Sequence, residues 1–127
     1  MIVRALHAAM ALLFGLCVAV QYNDPDPLPW MGMYGAALVL CVLGALARPP
    51  RDAAIIVGVL ALVWAGTQSS SFLTCITTKD ACFSSWDMHN DLVAEEAREV
   101  GGLFIVAAWS LVVFSDANRR RKRSDAS

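Results

Sequence analysis

Apolar residues run in four long stretches along this chain, at Val3–Val20, Trp30–Ala47, Ala53–Thr67 and Val100–Ser115. Polar residues are gathered between them. A membrane-spanning helix needs about 20 mostly apolar residues, within a range of roughly 17–25. The pattern therefore predicts helices over residues 3–21, 30–47, 53–68 and 92–116. They are joined by segments 22–29 and 69–91 on one side and by the Arg48-Pro49-Pro50-Arg51 turn on the other, and a basic tail at 117–127 follows. The third stretch is the weakest, because Thr67, Gln68 and three serines follow it. The expected fold class is all-α: one four-transmembrane-helix antiparallel bundle.

Composition agrees. Of the 127 residues, 57% are hydrophobic and the mean hydropathy is +0.55, above what soluble domains usually show. Four spans leave no room for a separate soluble domain, so any site must be built from helix ends and the two loops. The first stretch lacks the small residues of a signal-peptide cleavage site, since Leu16 precedes Cys17 and Val18 and Val20 flank Ala19. It is read as a retained helix.

Charge then gives the bundle a direction. With both chain ends and the Ala47–Asp52 turn on one side, that side holds eight Arg and Lys against three Asp, a net +5. The other side holds two cations against eight carboxylates, a net −6. Cationic residues stay on the cytoplasmic face of inner and plasma membranes. Both termini are expected in the cytoplasm, and the abundance of Gly, Ala and Arg fits a bacterial inner membrane.

The chemistry-bearing residues lie on the acidic side. Pro25, Pro27 and Pro29 are expected to keep the first loop stiff and non-helical, with Asn23 and Asp24 bonding nearby backbone amides. Trp30 is expected to anchor at the interface, with Tyr34 one turn deeper. Asp52 is expected to cap the third helix. Glu95, Arg98, Glu99 and Gly102 fall on one face of the fourth helix, continued by Val106 and Trp109. Ionisable groups at membrane depth usually face the bundle interior. They would form either an internal Glu–Arg pair that fixes register or an external acidic pocket, with Gly102 admitting a neighbouring helix. Asn23, Asp24, Asp26, Tyr34, Glu95, Arg98 and Glu99 are the candidate ligand-binding residues, with Arg98 expected to pair with Asp24 or Asp26.

Asp24, Asp26, His89 and Glu95 are weak candidates for a divalent cation, since they show no fixed ligand spacing, and no metal is assigned. Asp91 lies on the same side. Cys75 and Cys82 share the second loop and are expected to form a disulfide outside the cytoplasm. Cys17 and Cys41 read as small apolar fillers. His7, near the basic end, reads as an interface residue or a helix–helix hydrogen bond. The Arg119–Arg123 run orients the protein, is expected to stop the fourth helix, and could also meet anionic headgroups. No cofactor motif appears, and nothing supports nucleic-acid binding.

Two stretches together resemble the transmembrane protein 220 family. One is Gln21-Tyr22-Asn23-Asp24-Pro25-Asp26, followed by Trp30 and Tyr34. The other is Glu95-Glu96-Ala97-Arg98-Glu99-Val100-Gly101-Gly102-Leu103, followed by Ile105 and Trp109. The resemblance implies a multi-helix integral membrane protein and carries no activity. The residues favour a binding or accessory protein, resident in the lipid bilayer, with a membrane protein partner or a second copy as possible company. The alternatives are a membrane enzyme or redox protein using Glu99 or Cys75 and Cys82, and a transporter subunit.

Overall fold

The computed structural model describes the chain except residues 25, 71, 72, 74–76 and 78–91, and for residues 92–97 it describes the backbone alone. Four long helices carry the described residues: α1 (Ile2–Val20), α2 (Pro27–Ala45), α3 (Arg51–Thr67) and α4 (Leu92–Asp125). A 3₁₀ turn at Gln21–Asn23 extends α1. No strand occurs among the described residues.

Contacts at the two ends fix the helix directions. At one end, Arg4 Nε donates to the Ala45 carbonyl at 2.8 Å, and the Arg51 guanidinium lies over the Phe114 ring at 5.6 Å. At the other, Trp30 stacks on Trp64 with centroids 4.4 Å apart, and Gln68 bonds Glu99. Successive helices therefore run antiparallel. The start of α1, the α2–α3 turn and the end of α4 share one end, which carries every arginine except Arg98. α1 packs mainly on α2 and α3 mainly on α4, and α2 joins the two hairpins.

The packing is that of a membrane protein. α3 buries Ala54, Ala61 and Ala65 and turns Ile56, Leu60 and Val63 outward, each more than half exposed. Gly58 brings the α3 backbone close to Ser110 of α4, where an added Cβ would lie 3.1 Å from the serine Cβ. In lipid, helices gain little from hiding large apolar groups from their surroundings. They associate through close packing of small residues instead.

Three helical segments, Ile2–Asn23, Pro27–Ala45 and Arg98–Asp125, are long and apolar enough to cross a membrane. The sequence pattern predicted four. α3 has 17 residues, a rise of about 26 Å, and ends at the polar residues that made its stretch the weakest.

Four expectations need correction. Pro27 and Pro29 do not delay α2, which starts at Pro27; the first helical turn has no intrahelical use for a proline N–H. Trp30 is buried against Trp64 and does not anchor at the interface. Asp52 lies in the first turn of α3 and Pro50 occupies the cap position, so its carboxylate favours the helix dipole without capping. Finally, α4 does not stop at the basic run. It continues to Asp125, with Asp116–Arg120 at 2.9 Å and Arg121–Asp125 at 4.0 Å bridging successive turns.

The α2–α3 turn holds one strained residue. Arg48 N–H bonds Leu43 O at 2.8 Å and Ala47 N–H bonds Gly44 O at 3.0 Å, the double closure of a Schellman motif. It puts Ala47 at φ 63, where glycine is the usual residue. Left-handed backbone costs a residue with a Cβ roughly 1–2 kcal/mol. Ala47→Gly is expected to raise stability in detergent by about 1 kcal/mol, and no gain in a denaturant titration would refute the strain.

Candidate functional site at the acidic end

Tyr34 is the centre of the acidic end. It lies on α2, buried, with Phe14 of α1 on one side (ring centroids 6.3 Å apart) and Trp30 on the other (6.1 Å). Trp30 rests in turn on Trp64 of α3. The aromatic column so formed draws on three helices. Its contact with α4 runs through Gly102: a Cβ built there would fall on the Tyr34 hydroxyl and 3.2 Å from its Cζ. The helix approach expected of Gly102 is found, and Tyr34 is the group it admits.

Glu99 sits one turn before Gly102 and is half-buried. Its Oε2 accepts from Gln68 Nε2 at 3.0 Å, which ties the end of α3 to the start of the described part of α4. At the same end of α3, Thr67 Oγ1 donates to the Trp64 carbonyl at 2.6 Å and Ser69 Oγ to the Gly66 carbonyl at 2.9 Å. These hydroxyls satisfy carbonyls that a helix terminus leaves without intrahelical partners. The residues that weakened the third stretch in the sequence thus have a structural task. Gln68 was not among the expected site residues. A long amide at the end of an apolar run, on the side that carries the carboxylates, was the signal for it.

Asp24 follows the 3₁₀ turn, half-buried, and its Oδ1 accepts from the Asp26 N–H at 3.1 Å. This is the local side-chain bond expected of an Asx residue. Asp26 is the residue before α2 and is exposed, as is Asn23. Asp24 and Glu99 both lie within electrostatic reach of Tyr34. Of the expected residues, Tyr34 and Glu99 lie within one turn of each other along α4, Tyr34 against Gly102 and Glu99 three residues before it. Arg98 is half-buried on α4. Among the described residues no ion pair joins it to Asp24 or Asp26. The backbone of Glu95 is helical, but its side chain lies outside the described residues, as do His89 and Asp91. No three potential metal ligands gather among the described residues. Cys75 and Cys82 also lie outside them, so the expected disulfide has no structural support; Cys17 and Cys41 are free thiols.

The other end holds a polar cluster that sequence reasoning treated as incidental. His7 is fully buried between helices, and neither expected role is met: it does not lie at the interface, and among the described residues neither ring nitrogen makes a hydrogen bond. Its Nε2 lies 3.6 Å from Asp116 Oδ2, an electrostatic contact longer than a hydrogen bond. Arg120 Nε holds the same oxygen at 2.9 Å. The edge of the His7–Trp109 pair is T-shaped, with centroids 5.6 Å apart. Gly44 of α2 leaves the space the imidazole fills. Buried ionisable groups turned to one another inside a bundle fit a helix set in lipid.

Apolar helix exteriors, small residues at helix contacts, and charges confined to the ends and interior define a small integral membrane protein. The model of transmembrane family 220, helix, matches residues 13–115, and the chain belongs to that family. The matched region takes in Asn23–Asp26, Tyr34, Gln68 and Glu95–Gly102, whereas His7, Asp116 and Arg119 fall outside it. No solved structure matches the chain.

Proposed function

We propose that this chain is a four-span binding or accessory protein of a bacterial inner membrane, with the arginine-bearing end in the cytoplasm and an acidic ligand site outside. The positive-inside rule supports the orientation. The fourth span is supported by the course of α3. It runs from Arg51 at the basic end to Gln68 at the acidic end and presents large apolar residues outward along the way.

The observation that carries the site is the fixed position of Glu99. Its carboxylate is tethered by Gln68, and Tyr34 is seated one turn along, on Gly102. A pre-positioned acid beside a buried phenol and a second carboxylate, Asp24, suits a cationic ligand: an organic amine, a metal ion, or the basic segment of a membrane partner. Binding to such a group loses less to the ordering of side chains than binding to a free surface carboxylate does.

Native mass spectrometry of the detergent-purified protein, beside Glu99→Gln, tests this. The expected result is a bound mass on the wild type that is absent from Glu99→Gln, with equal thermal stability. The amide keeps the shape of the side chain and removes its charge. An unliganded wild type beside an equally folded variant would reduce Glu99 to a link between α3 and α4.

A further inference from the structure

At the basic end, an open crevice of about 290 Å³ is lined by Val3 of α1 and by Leu111, Val112, Ser115, Asp116 and Arg119 of α4. Its chemistry changes in order along α4. Leu111, Ser115 and Arg119 are spaced four residues apart and so lie on one face. They cover about 12 Å of helix rise. The sequence is apolar, then hydroxyl, then guanidinium, running from bilayer depth toward the headgroups. Val3 and Val112 widen the apolar part.

The one acid in the crevice has its charge met elsewhere, since Asp116 Oδ2 is held by Arg120 at 2.9 Å with His7 at 3.6 Å. Arg119 is exposed, and among the described residues it makes no ion pair. Arg4, Arg48, Arg51 and the rest of the Arg119–Arg123 run lie at the same end of the bundle and make it strongly positive.

We propose that this crevice seats one anionic phospholipid. The upper part of an acyl chain lies along Val3, Leu111 and Val112, and the phosphate meets the Arg119 guanidinium and the Ser115 hydroxyl. Basic pockets beside membrane helices on the cytoplasmic side are suited to such headgroups, and a guanidinium matches phosphate geometry. The site is at the opposite end from Glu99 and does not depend on a ligand there, though its cytoplasmic placement rests on the orientation proposed above.

The full chain in detergent would be titrated with phosphatidylglycerol, with phosphatidylcholine of the same acyl chains, and with inorganic phosphate, and read by native mass spectrometry. Wild type is expected to hold one phosphatidylglycerol in clear preference to phosphatidylcholine and to retain no inorganic phosphate. Arg119→Ala should weaken that binding about tenfold, the scale of one charge-assisted contact. Arg123→Ala makes the same charge change outside the crevice and should leave binding unaltered. Leu111→Trp should lower it by filling the apolar part without touching charge. Equal losses in Arg119→Ala and Arg123→Ala would mean diffuse attraction to the tail and would overturn the proposal. So would equal binding of the two lipids, retention of inorganic phosphate, or an unaffected Leu111→Trp.

Discussion

Gly102→Ala is expected to destabilise the protein by about 1–3 kcal/mol, the range for overpacking a filled interior. The added methyl group would occupy the position of the Tyr34 hydroxyl. Tyr34 has nowhere to go, because Phe14 and Trp30 flank its ring and their own places are set by α1 and α3. The direction runs against intrinsic propensity, since alanine is roughly 1 kcal/mol better than glycine within a helix. Gly35 supplies the control. It lies on α2 with nothing within 4 Å of its would-be Cβ, and Gly35→Ala should be neutral or stabilising. Adding Tyr34→Phe to Gly102→Ala removes the overlapping oxygen and leaves Cζ at 3.2 Å, a gap that a shift of a few tenths of an ångström relieves. Stability should return in large part, and the two substitutions should be strongly non-additive. Denaturant titration in one detergent compares the wild type, Gly102→Ala, Tyr34→Phe, the double variant and Gly35→Ala. A Gly102→Ala variant as stable as Gly35→Ala would mean that α2 and α4 are not locked at this point.

The second large effect lies at the opposite end. A Cβ on Gly44 would stand 2.7 Å from His7 Cδ2 and 2.8 Å from Cγ. The imidazole cannot swing aside without leaving Trp109 and Asp116. Gly44→Ala should therefore cost about 1–3 kcal/mol despite its helix propensity. His7→Ala alone should also destabilise, since it opens a cavity among Gly44, Trp109 and Asp116. The double variant should be less damaged than the two losses added together, because the new methyl group fills part of the space the ring vacated. Strict additivity in the unfolding free energies would show that the two residues do not share that space. With Gly102, this contact brackets α2 at both ends, so the two glycines set how closely α2 lies to its neighbours on α1 and α4.

Much of this arrangement was legible in the order of residues. The four apolar stretches predicted four helices, and the alternation of charge between their ends predicted which ends meet. Both follow from one-dimensional rules: helix length against bilayer thickness, and the sorting of Arg and Lys to one side. The glycine of α4 was legible too, because the spacing of Glu99, Gly102 and Val106 puts them on one face. Element ends were less so. Pro27 and Pro29 looked like breakers but sit where a helix tolerates proline, and the arginines after Ser115 looked like a stop although their carboxylate partners carry the helix to Asp125.

The sequence by itself determined the class of protein, its family, the helical framework and the polarity of its two ends. Those properties depend on local composition and on periodicity, which a single chain displays. Only the tertiary structure decided which polar residues meet. Gln68 reaches Glu99, Tyr34 rests on Gly102, and His7 enters the space left by Gly44 beside Asp116. Each pair joins residues more than 30 positions apart, and the rotation and depth of packed helices selects the partner. In lipid that selection is made by close contact of small residues and by pairing of buried polar groups; spacing shows which face they share but not which residue on another helix they meet.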